Sequence, residues 1–188
     1  TAAELTKLAD NWWIDLNIAL ANELALLSEQ LGVDAIEVIQ AANTLPKGEH
    51  NVNILFPGSG VGGSCLVKDP WFVADLGNAH GLNLDTPRVS REVNDQMPGH
   101  VVGLADGALD GLENKRIAVL GYAFKRGTDD TRNTPAKPIV ERLGDHGAHI
   151  QITDPHVPDE QVEDEVKINP VELTVALENA DAVLAVTG

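Results

Sequence analysis

The sequence predicts a protein of two kinds of structure: an all-helical region followed by an α/β region with a parallel sheet. Apolar residues recur at helical spacings through most of the first 110 residues. Short apolar runs typical of buried strands begin only after Lys115. A predicted helix separates the first two of these runs, and strand, helix, strand at this spacing is typical of a parallel β-α-β unit.

Two helices account for the first 42 residues. Leucines, isoleucine and tryptophan from Ala2 onward keep to helical spacing, and Gly32 is placed to end this long helix. A shorter helix is predicted over Asp34–Ala42. The proline- and glycine-rich segment 45–63 that follows is predicted to be an irregular loop.

Helical patterning resumes after that loop. Asp69 begins a predicted helix with Pro70 in its first turn, where the missing N–H of proline costs nothing. After Pro87 a long amphipathic segment continues to about residue 110. The first 110 residues are therefore predicted to contain helix and loop only.

The second part of the chain alternates strands and helices. We predict three strands and two helices, in the order Ile117–Gly121 (strand), Pro135–Leu143 (helix ended by Gly144), Ala148–Thr153 (strand), Val171–Asn179 (helix) and Ala182–Val186 (strand). The change of pattern near Leu112–Lys115 predicts two domains, 1–112 and 113–188. The single methionine is Met97 and position 1 already lies in an amphipathic pattern, so we expect the chain to be a portion of a longer polypeptide.

Composition narrows the classes of partner and site. The 188 residues include 13 Lys and Arg against 29 Asp and Glu, a formal charge of -16 that disfavours nucleic acid and anionic lipid as partners. The acidic excess is compatible with a salt-adapted source and with an ordinary acidic protein. No apolar run reaches the roughly 18 residues of a membrane helix, so we expect a cytoplasmic protein. One cysteine excludes an intrachain disulfide and any multi-cysteine metal site, and we expect no metal.

The densest chemical pattern is the segment Phe56–Pro70. Four glycines at positions 58, 60, 62 and 63 allow backbone amides to approach a ligand, and Cys65 follows at once. The start of the predicted helix at Asp69 and the nearby Lys68 both favour a thiolate, the form that acts as a nucleophile. The alternative is a flexible loop with a buried, inert cysteine.

Two further groups of residues could bind a ligand. Lys7 and Asn11 are four residues apart, so both side chains lie on one face of the first helix. The polar segment 121–132 follows a predicted strand, where open α/β sheets hold ligands. Taken singly, each group also fits an ordinary solvated helix face or a polar connection.

Together, three motifs in this order resemble the UDP-glucose/GDP-mannose dehydrogenase family. They are Ala3-Glu4-x-x-Lys7-x-x-x-Asn11, Gly58-x-Gly60-x-Gly62-Gly63-x-Cys65-x-x-Lys68-Asp69 and Phe124-Lys125-x-x-x-Asp129-Asp130-x-Arg132. The resemblance covers essentially the whole chain. It implies a helical central domain that forms a homodimer, followed by a Rossmann-like domain that binds the UDP-sugar. It also implies that the NAD-binding domain of the family lies outside this chain.

The resemblance also implies an activity and a role for each motif residue. The family oxidises the C6 alcohol of a UDP-sugar to a carboxylate in two steps with NAD, through a thiohemiacetal and a thioester on cysteine. The implied catalytic residues are Cys65, Lys7, Asn11 and Asp69. The implied substrate contacts are Lys7, Asn11, His50, Gly62, Phe124 and Lys125, and Arg132 is the implied NAD contact. We expect the chain alone to be inactive.

Within the family, the segments Val52–Gly58, Asp69–Phe72 and Arg91–Asp95 most resemble dehydrogenases of UDP-N-acetyl-D-mannosamine. That branch usually has histidine where this chain has Ser64, lacks the lysine found at Lys68, carries an arginine near Ile14, and matches His50 only with a shift of one residue. UDP-glucose and UDP-N-acetylglucosamine therefore stay open as substrates. A non-catalytic oligomerisation and sugar-nucleotide-binding module is the alternative function, and a cysteine hydrolase is disfavoured because no histidine is placed locally beside Cys65.

Overall fold

The structure is a computed structural model that describes residues 1–158, 161–163, 166–168 and 170–187. The chain divides into two compact units. The first unit contains residues 1–61 and 65–97, and the second contains residues 62–64 and 98–188. Along the chain, the division between the units falls between Met97 and Pro98, within the helix Thr86–Leu109. The domain boundary near residue 112 stays a prediction.

The first unit is built on two long helices and two short ones. They are α1 (Ala2–Leu31), α2 (Ala35–Asn43), α3 (Asp69–Ala79) and the first half of α4 (Thr86–Leu109). Gly32 ends α1 in a left-handed conformation with φ 68°, as its position predicted. The Asp34 side chain caps α2 by accepting hydrogen bonds from the N–H groups of Ile36 and Glu37. α1 packs against both α2 and α3.

One prediction for the first unit was wrong. The segment 45–63 contains a short antiparallel pair, β1 (Pro46–Lys47) and β2 (His50–Asn51), with Lys47 opposite His50. Gly48 at the turn has φ 63°, which lets the chain reverse within two residues. Strands of two residues have no hydrophobic pattern, so the sequence did not reveal them.

The second unit has the predicted parallel sheet. Its strands are β3 (Arg116–Leu120), β4 (His149–Thr153) and β7 (Ala182–Ala185), in the order β4-β3-β7 with both pairings parallel. The helices α5 (Ala136–Asp145) and α6 (Leu173–Leu177) lie between them in sequence. The fold class, a helical region followed by a parallel α/β region, is confirmed.

The core of the second unit lies around the central strand. Ile117 and Val119 of β3 pack with Ile139 and Leu143 of α5 in one buried cluster.

The second unit also contains a separate antiparallel pair of strands, β5 (Gln161–Glu163) and β6 (Val166–Ile168), which was not predicted. Across the described residues, none of the helices has the length and apolar character needed to cross a membrane.

Candidate functional site

In the first unit, α1 and the start of α3 bring three of the predicted residues into contact. Lys7 and Asn11 on α1 both donate hydrogen bonds to Oδ2 of Asp69, the first residue of α3, with Asn11 Nδ2 at 2.5 Å and Lys7 Nζ also forming an ion pair. Asp69 is 2% exposed, whereas the Lys7 side chain is 55% exposed. The i, i+4 spacing on α1 therefore lets Lys7 and Asn11 contact the same carboxylate, while the Lys7 side chain stays accessible to a ligand.

Cys65 lies beside this group. The carbonyl oxygen of Cys65 accepts hydrogen bonds from the N–H groups of Lys68 and Asp69, so the backbone at the start of α3 holds the cysteine next to the carboxylate. Its side chain is exposed, so the cysteine is not buried in this structure, and its role as a nucleophile stays a prediction.

The charges in this group reinforce each other. The hydrogen bond to Asp69 is the main reason that the pKa of Lys7 is raised, and the neighbouring Cys65 side chain adds to the effect through its charge and a hydrogen bond. Burial acts to raise the pKa of Asp69, but the hydrogen bonds from Lys7 and Asn11 outweigh it, and the net pKa is lowered. Lys7 is therefore a cation and Asp69 an anion near neutral pH.

A buried polar network continues along α1 and joins it to α4. Asp15 accepts a hydrogen bond from Arg91 at 2.7 Å and two from Asn94 Nδ2, one through its carboxylate at 2.9 Å and one through its backbone carbonyl at 3.0 Å. Asn94 Oδ1 in turn accepts from Asn22 Nδ2 at 2.9 Å, and Asn22 Oδ1 accepts from the N–H of Gly58. The network thus reaches the glycine-rich segment ahead of Cys65.

In the second unit, the residues just before Cys65 pack on the segment 124–135. The N–H of Gly63 donates to the carbonyl of Arg132 at 3.1 Å. A Cβ atom on Gly62 would lie 2.7 Å from the carbonyl oxygen of Asn133, and one on Gly63 would lie 2.8 Å from the Phe124 ring. Two glycines are needed here because no side chain fits between these backbones and the aromatic ring.

Lys125 lines a cavity of about 910 Å³ at the carboxyl ends of β3 and β4. The lining comes from the segments that follow β3, β4 and β7 and from the segment before α6. Its polar members are Lys125, Arg126, Thr128, Thr153, Asp154, His156, Glu172 and Thr187. The sequence predicted a ligand site after the first strand, and the cavity lies at that end of the sheet.

The side chains of two predicted residues lie outside the group of Lys7, Asn11 and Asp69. Arg132 is an exposed side chain that makes a two-point ion pair with Asp130, and this contact lowers the pKa of Asp130 to about 2. His50 is exposed in β2, and among the described residues it is not part of the network of Lys7, Asn11 and Asp69.

Two family models match the chain. Residues 1–96 match the central domain, and residues 118–188 match the UDP binding domain, of the UDP-glucose/GDP-mannose dehydrogenase family. The chain belongs to this family. The resemblance inferred from the three motifs is confirmed.

Relatives in the family carry the names of several nucleotide-sugar dehydrogenases. A UDP-N-acetyl-D-mannosamine dehydrogenase of Pyrococcus horikoshii is 45% identical over 161 residues, which are 84% of this chain and 37% of that protein. An NDP-N-acetyl-D-galactosaminuronic acid dehydrogenase structure from Methanosarcina mazei has a TM-score of 0.89 at 34% identity, covering 100% of this chain and 41% of that one. A UDP-glucose dehydrogenase structure from Pyrobaculum islandicum has a TM-score of 0.86 at 30% identity, covering 100% and 43%. The chain therefore spans about two fifths of the length of these relatives.

The sequence analysis missed some residues of the buried network and of the cavity in this family member. Asp15 and Asn22 belong to the buried network, and nothing in the sequence distinguished them from surface residues. Arg91 and Asn94 were noted only as part of a family segment, with no role given to either. Asp154 is different, because it directly follows a predicted strand at the sheet edge where ligand sites gather, and that position could have pointed to it.

Proposed function

We propose that the whole protein to which this chain contributes is an NAD-dependent UDP-sugar 6-dehydrogenase, and that this chain carries the catalytic thiol. The observation that supports this most directly is the grouping of Lys7, Asn11, Cys65 and Asp69 at one end of α1 and α3. A nucleophilic sulfur beside a fixed cation and an amide donor is the arrangement that addition to a carbonyl requires.

Cys65 acts after the C6 alcohol has been oxidised to the aldehyde. Its thiolate adds to the aldehyde carbon, forming a C–S bond and a thiohemiacetal oxyanion, which the second oxidation converts to a thioester. Water then adds to the thioester carbonyl, the C–S bond breaks, and the carboxylate and the thiol are released. Each of the two oxidations removes two electrons, and the hydrolysis consumes one water. Because the hydrolysis breaks the C–S bond, the thiol of Cys65 is regenerated.

Lys7 and Asn11 stabilise the oxygen on C6. The Lys7 ammonium is exposed on one side and fixed by Asp69 on the other, so it can approach an oxyanion without reorganising. Asn11 presents an amide at the same carboxylate. Asp69 orients both donors, and its ionised oxygens are suited to hold the water that attacks the thioester.

The described part of this chain contributes one proposed contact to NAD rather than a complete binding site. The turn after β3 has the single glycine Gly121, and the N–H groups of Tyr122 and Ala123 in that turn already donate to Asp154, so it offers no dinucleotide cradle. Arg132 is the residue of this chain that we propose as a contact to the cofactor. When bound, NAD supplies the electron acceptor for each of the two oxidations.

The substrate is a UDP-sugar, and UDP-N-acetyl-D-mannosamine is favoured. Phe124, Lys125 and Gly62 contribute to its binding by the second unit, and His50 contributes by the first. The naming of relatives such as the Pyrococcus horikoshii protein supports the mannosamine sugar. UDP-glucose and UDP-N-acetylglucosamine are the alternatives, and the chain alone is proposed to bind the sugar nucleotide without oxidising it.

The test is NADH formation by the whole enzyme with each of the three UDP-sugars, beside the same assay on this chain alone. In the whole enzyme, Cys65→Ser should lower net oxidation to the acid by several orders of magnitude, because serine is far less easily activated than cysteine. Circular dichroism and UDP affinity should match the unsubstituted enzyme. Full turnover in this variant would overturn the covalent route, and absence of NADH with every UDP-sugar would overturn the proposed activity.

A further inference from the structure

The turn that follows β3 is occupied by the protein's own carboxylate. In α/β domains, backbone N–H groups in the turn after a strand commonly bind a ligand phosphate. Here the N–H groups of Tyr122 and Ala123 donate to Oδ2 of Asp154, at 2.7 Å and 3.0 Å. An anion therefore sits where such a phosphate would sit, and it belongs to the next strand.

The second oxygen of the same carboxylate holds the turn after β4. Oδ1 of Asp154 accepts a hydrogen bond from the N–H of His156 at 2.9 Å, and the residue is 9% exposed. Burial acts to raise the pKa of Asp154, but the backbone N–H groups of Ala123, Tyr122, His156 and Val157 outweigh it and lower the pKa. One ionised side chain thus ties together the two turns that line the cavity.

Other contacts close the same turn. The N–H of Gly121 donates to the carbonyl of Thr153 at 2.8 Å, and the hydroxyl of Thr187 donates to the carbonyl of Ala123 at 2.5 Å. A Cβ atom on Gly121 would lie 2.6 Å from Cβ of Thr187. The backbone from Gly121 to Ala123 is therefore fixed on both sides, and it leads directly into Phe124 and Lys125.

We propose that Asp154 is an internal anion that replaces a ligand phosphate in the turn after β3 and thereby acts as a positioning residue for Lys125. This inference rests on the proposed function, because the ligand that Lys125 meets is the UDP-sugar. The pyrophosphate is then bound by cationic side chains that line the cavity, Lys125 and Arg126, and the backbone of the turn makes no phosphate contact.

The charge of Asp154 matters as well as its shape. An asparagine has one acceptor oxygen, so Asp154→Asn would set an NH2 group against N–H donors from one of the two turns. Asp154→Ala removes both acceptors and leaves space for a small carboxylate ion. If the site is an anion cradle, formate should bind there in the alanine variant and restore what the substitution removed.

The experiment compares melting temperature and UDP affinity of the chain with those of Asp154→Ala and Asp154→Asn. Sodium formate and sodium chloride are added at equal ionic strength, because any salt reduces self-repulsion in a protein of charge -16. Asp145→Ala and Asp145→Asn are matched controls, since Asp145 is exposed at the end of α5. UDP binding is measured by titration calorimetry.

We expect both Asp154 variants to melt about 5–10 °C lower and to bind UDP roughly tenfold more weakly. Formate, but not chloride, should recover both quantities in Asp154→Ala, and the Asp145 variants should behave like the unsubstituted chain. Equal effects of formate and chloride, or unchanged UDP affinity in Asp154→Asn, would overturn the proposal even if the alanine variant fails to fold. If the unsubstituted chain binds no UDP, the proposal that the chain alone binds the sugar nucleotide and the positioning of Lys125 both fail, while the melting temperatures in formate still decide whether Asp154 occupies an anion cradle. NADH formation by the whole enzyme tests the proposed activity separately.

Discussion

At the scale of single residues, the two lysines that we propose as substrate contacts, Lys7 in the first unit and Lys125 in the second, have different surroundings. Lys7 is held by the buried carboxylate of Asp69, with Asn11 on the same oxygen and Cys65 beside it. Lys125 is an exposed side chain on the wall of the cavity in the second unit. A cation fixed beside a nucleophile suits charge that develops during a reaction, whereas a cation on a cavity wall suits charge that the ligand always carries.

This difference predicts different kinetics for the two alanine variants of the whole enzyme. Lys125→Ala should raise KM for the UDP-sugar by roughly ten- to a hundredfold, because a contact to a charged group is worth about 1.5–3 kcal/mol in ground and transition states alike. Lys7→Ala should mainly lower kcat, by about 10²–10³-fold, as loss of an oxyanion donor does. Steady-state NADH formation measures both constants.

Lys115→Ala is the matched control for these variants. Lys115 precedes β3 at the amino end of the strand, so its removal changes the net charge by the same amount without touching the cavity at the carboxyl end. It should leave KM and kcat near their original values. An unchanged KM in Lys125→Ala, or an unchanged kcat in Lys7→Ala, would contradict the assignment of that lysine.

At the scale of elements, α1 and α4 are joined by a buried ion pair with an exposed counterpart. Arg91 contacts Asp15, which is fully buried, and Asp95, which is 60% exposed. Breaking a buried pair leaves an uncompensated charge away from water and costs about 3–5 kcal/mol, whereas an exposed pair contributes about 0–1 kcal/mol. The same arginine therefore offers a strong test through Asp15 on α1 and a weak test through Asp95 on α4.

Asp15→Asn should lower the free energy of unfolding by about 3–5 kcal/mol, and Asp95→Asn by less than about 1 kcal/mol. Urea denaturation followed by circular dichroism measures both. Asp15→Asn also disturbs the Asn94 contact and, through it, Asn22 and Gly58. Equal free-energy losses in the two variants would show that the buried network does not join α1 to α4 as described.

A second element is the three-residue segment Gly62–Ser64, packed on the segment 124–135. Gly63 has φ 88° and its missing Cβ would contact the Phe124 ring. Gly63→Ala should therefore cost about 1–2 kcal/mol for the backbone conformation and a further 1–3 kcal/mol, roughly, for the overlap with the ring. Urea denaturation is again the measurement.

Gly111→Ala separates the two contributions to that cost. Gly111 has φ 105° but open space around its Cβ position, so alanine there meets the backbone cost alone. The smaller loss should be at Gly111. If both variants lose the same free energy, the ring of Phe124 does not pack against Gly63 as the structure has it.

Much of this element structure could be predicted because it follows local rules. Gly32 ends α1, Pro70 lies in the first turn of α3, and the three parallel strands lie within one or two residues of their predicted positions. The pairing of β1 with β2 could not be predicted, because two-residue strands carry no periodicity. The spacing of Lys7 and Asn11 revealed a shared helix face, but the partner Asp69 lies 62 residues from Lys7 in sequence and came only from the family resemblance. The buried role of Asp15 and the N–H contacts of Asp154 depend on tertiary packing that the sequence does not display.

At the scale of the whole molecule, an apolar stripe on α1 favours association of two copies, whereas the large net charge disfavours it. Trp13, Leu16, Leu20, Leu27 and Leu31 are all exposed and lie at helical spacings of 3, 4, 7 and 4 residues along one face of α1. An apolar face of this length is typical of a helix that packs against another chain. Two copies that met through it would bring together a charge of -16 each.

We therefore expect a two-fold symmetric dimer through α1 whose stability rises with salt. Added salt screens the repulsion between the acidic copies and strengthens burial of the apolar stripe, so the dimer fraction at micromolar concentration should increase with sodium chloride. Leu20→Glu, which places a charge in the middle of the stripe, should give a folded monomer at every salt concentration. Glu23→Gln, on the same helix and exposed, is the control and should favour the dimer slightly because it removes one negative charge per copy. Light scattering after size-exclusion chromatography distinguishes the two states. A monomer at high salt, or a dimer that Leu20→Glu leaves intact, would mean that the stripe on α1 is not the contact between copies.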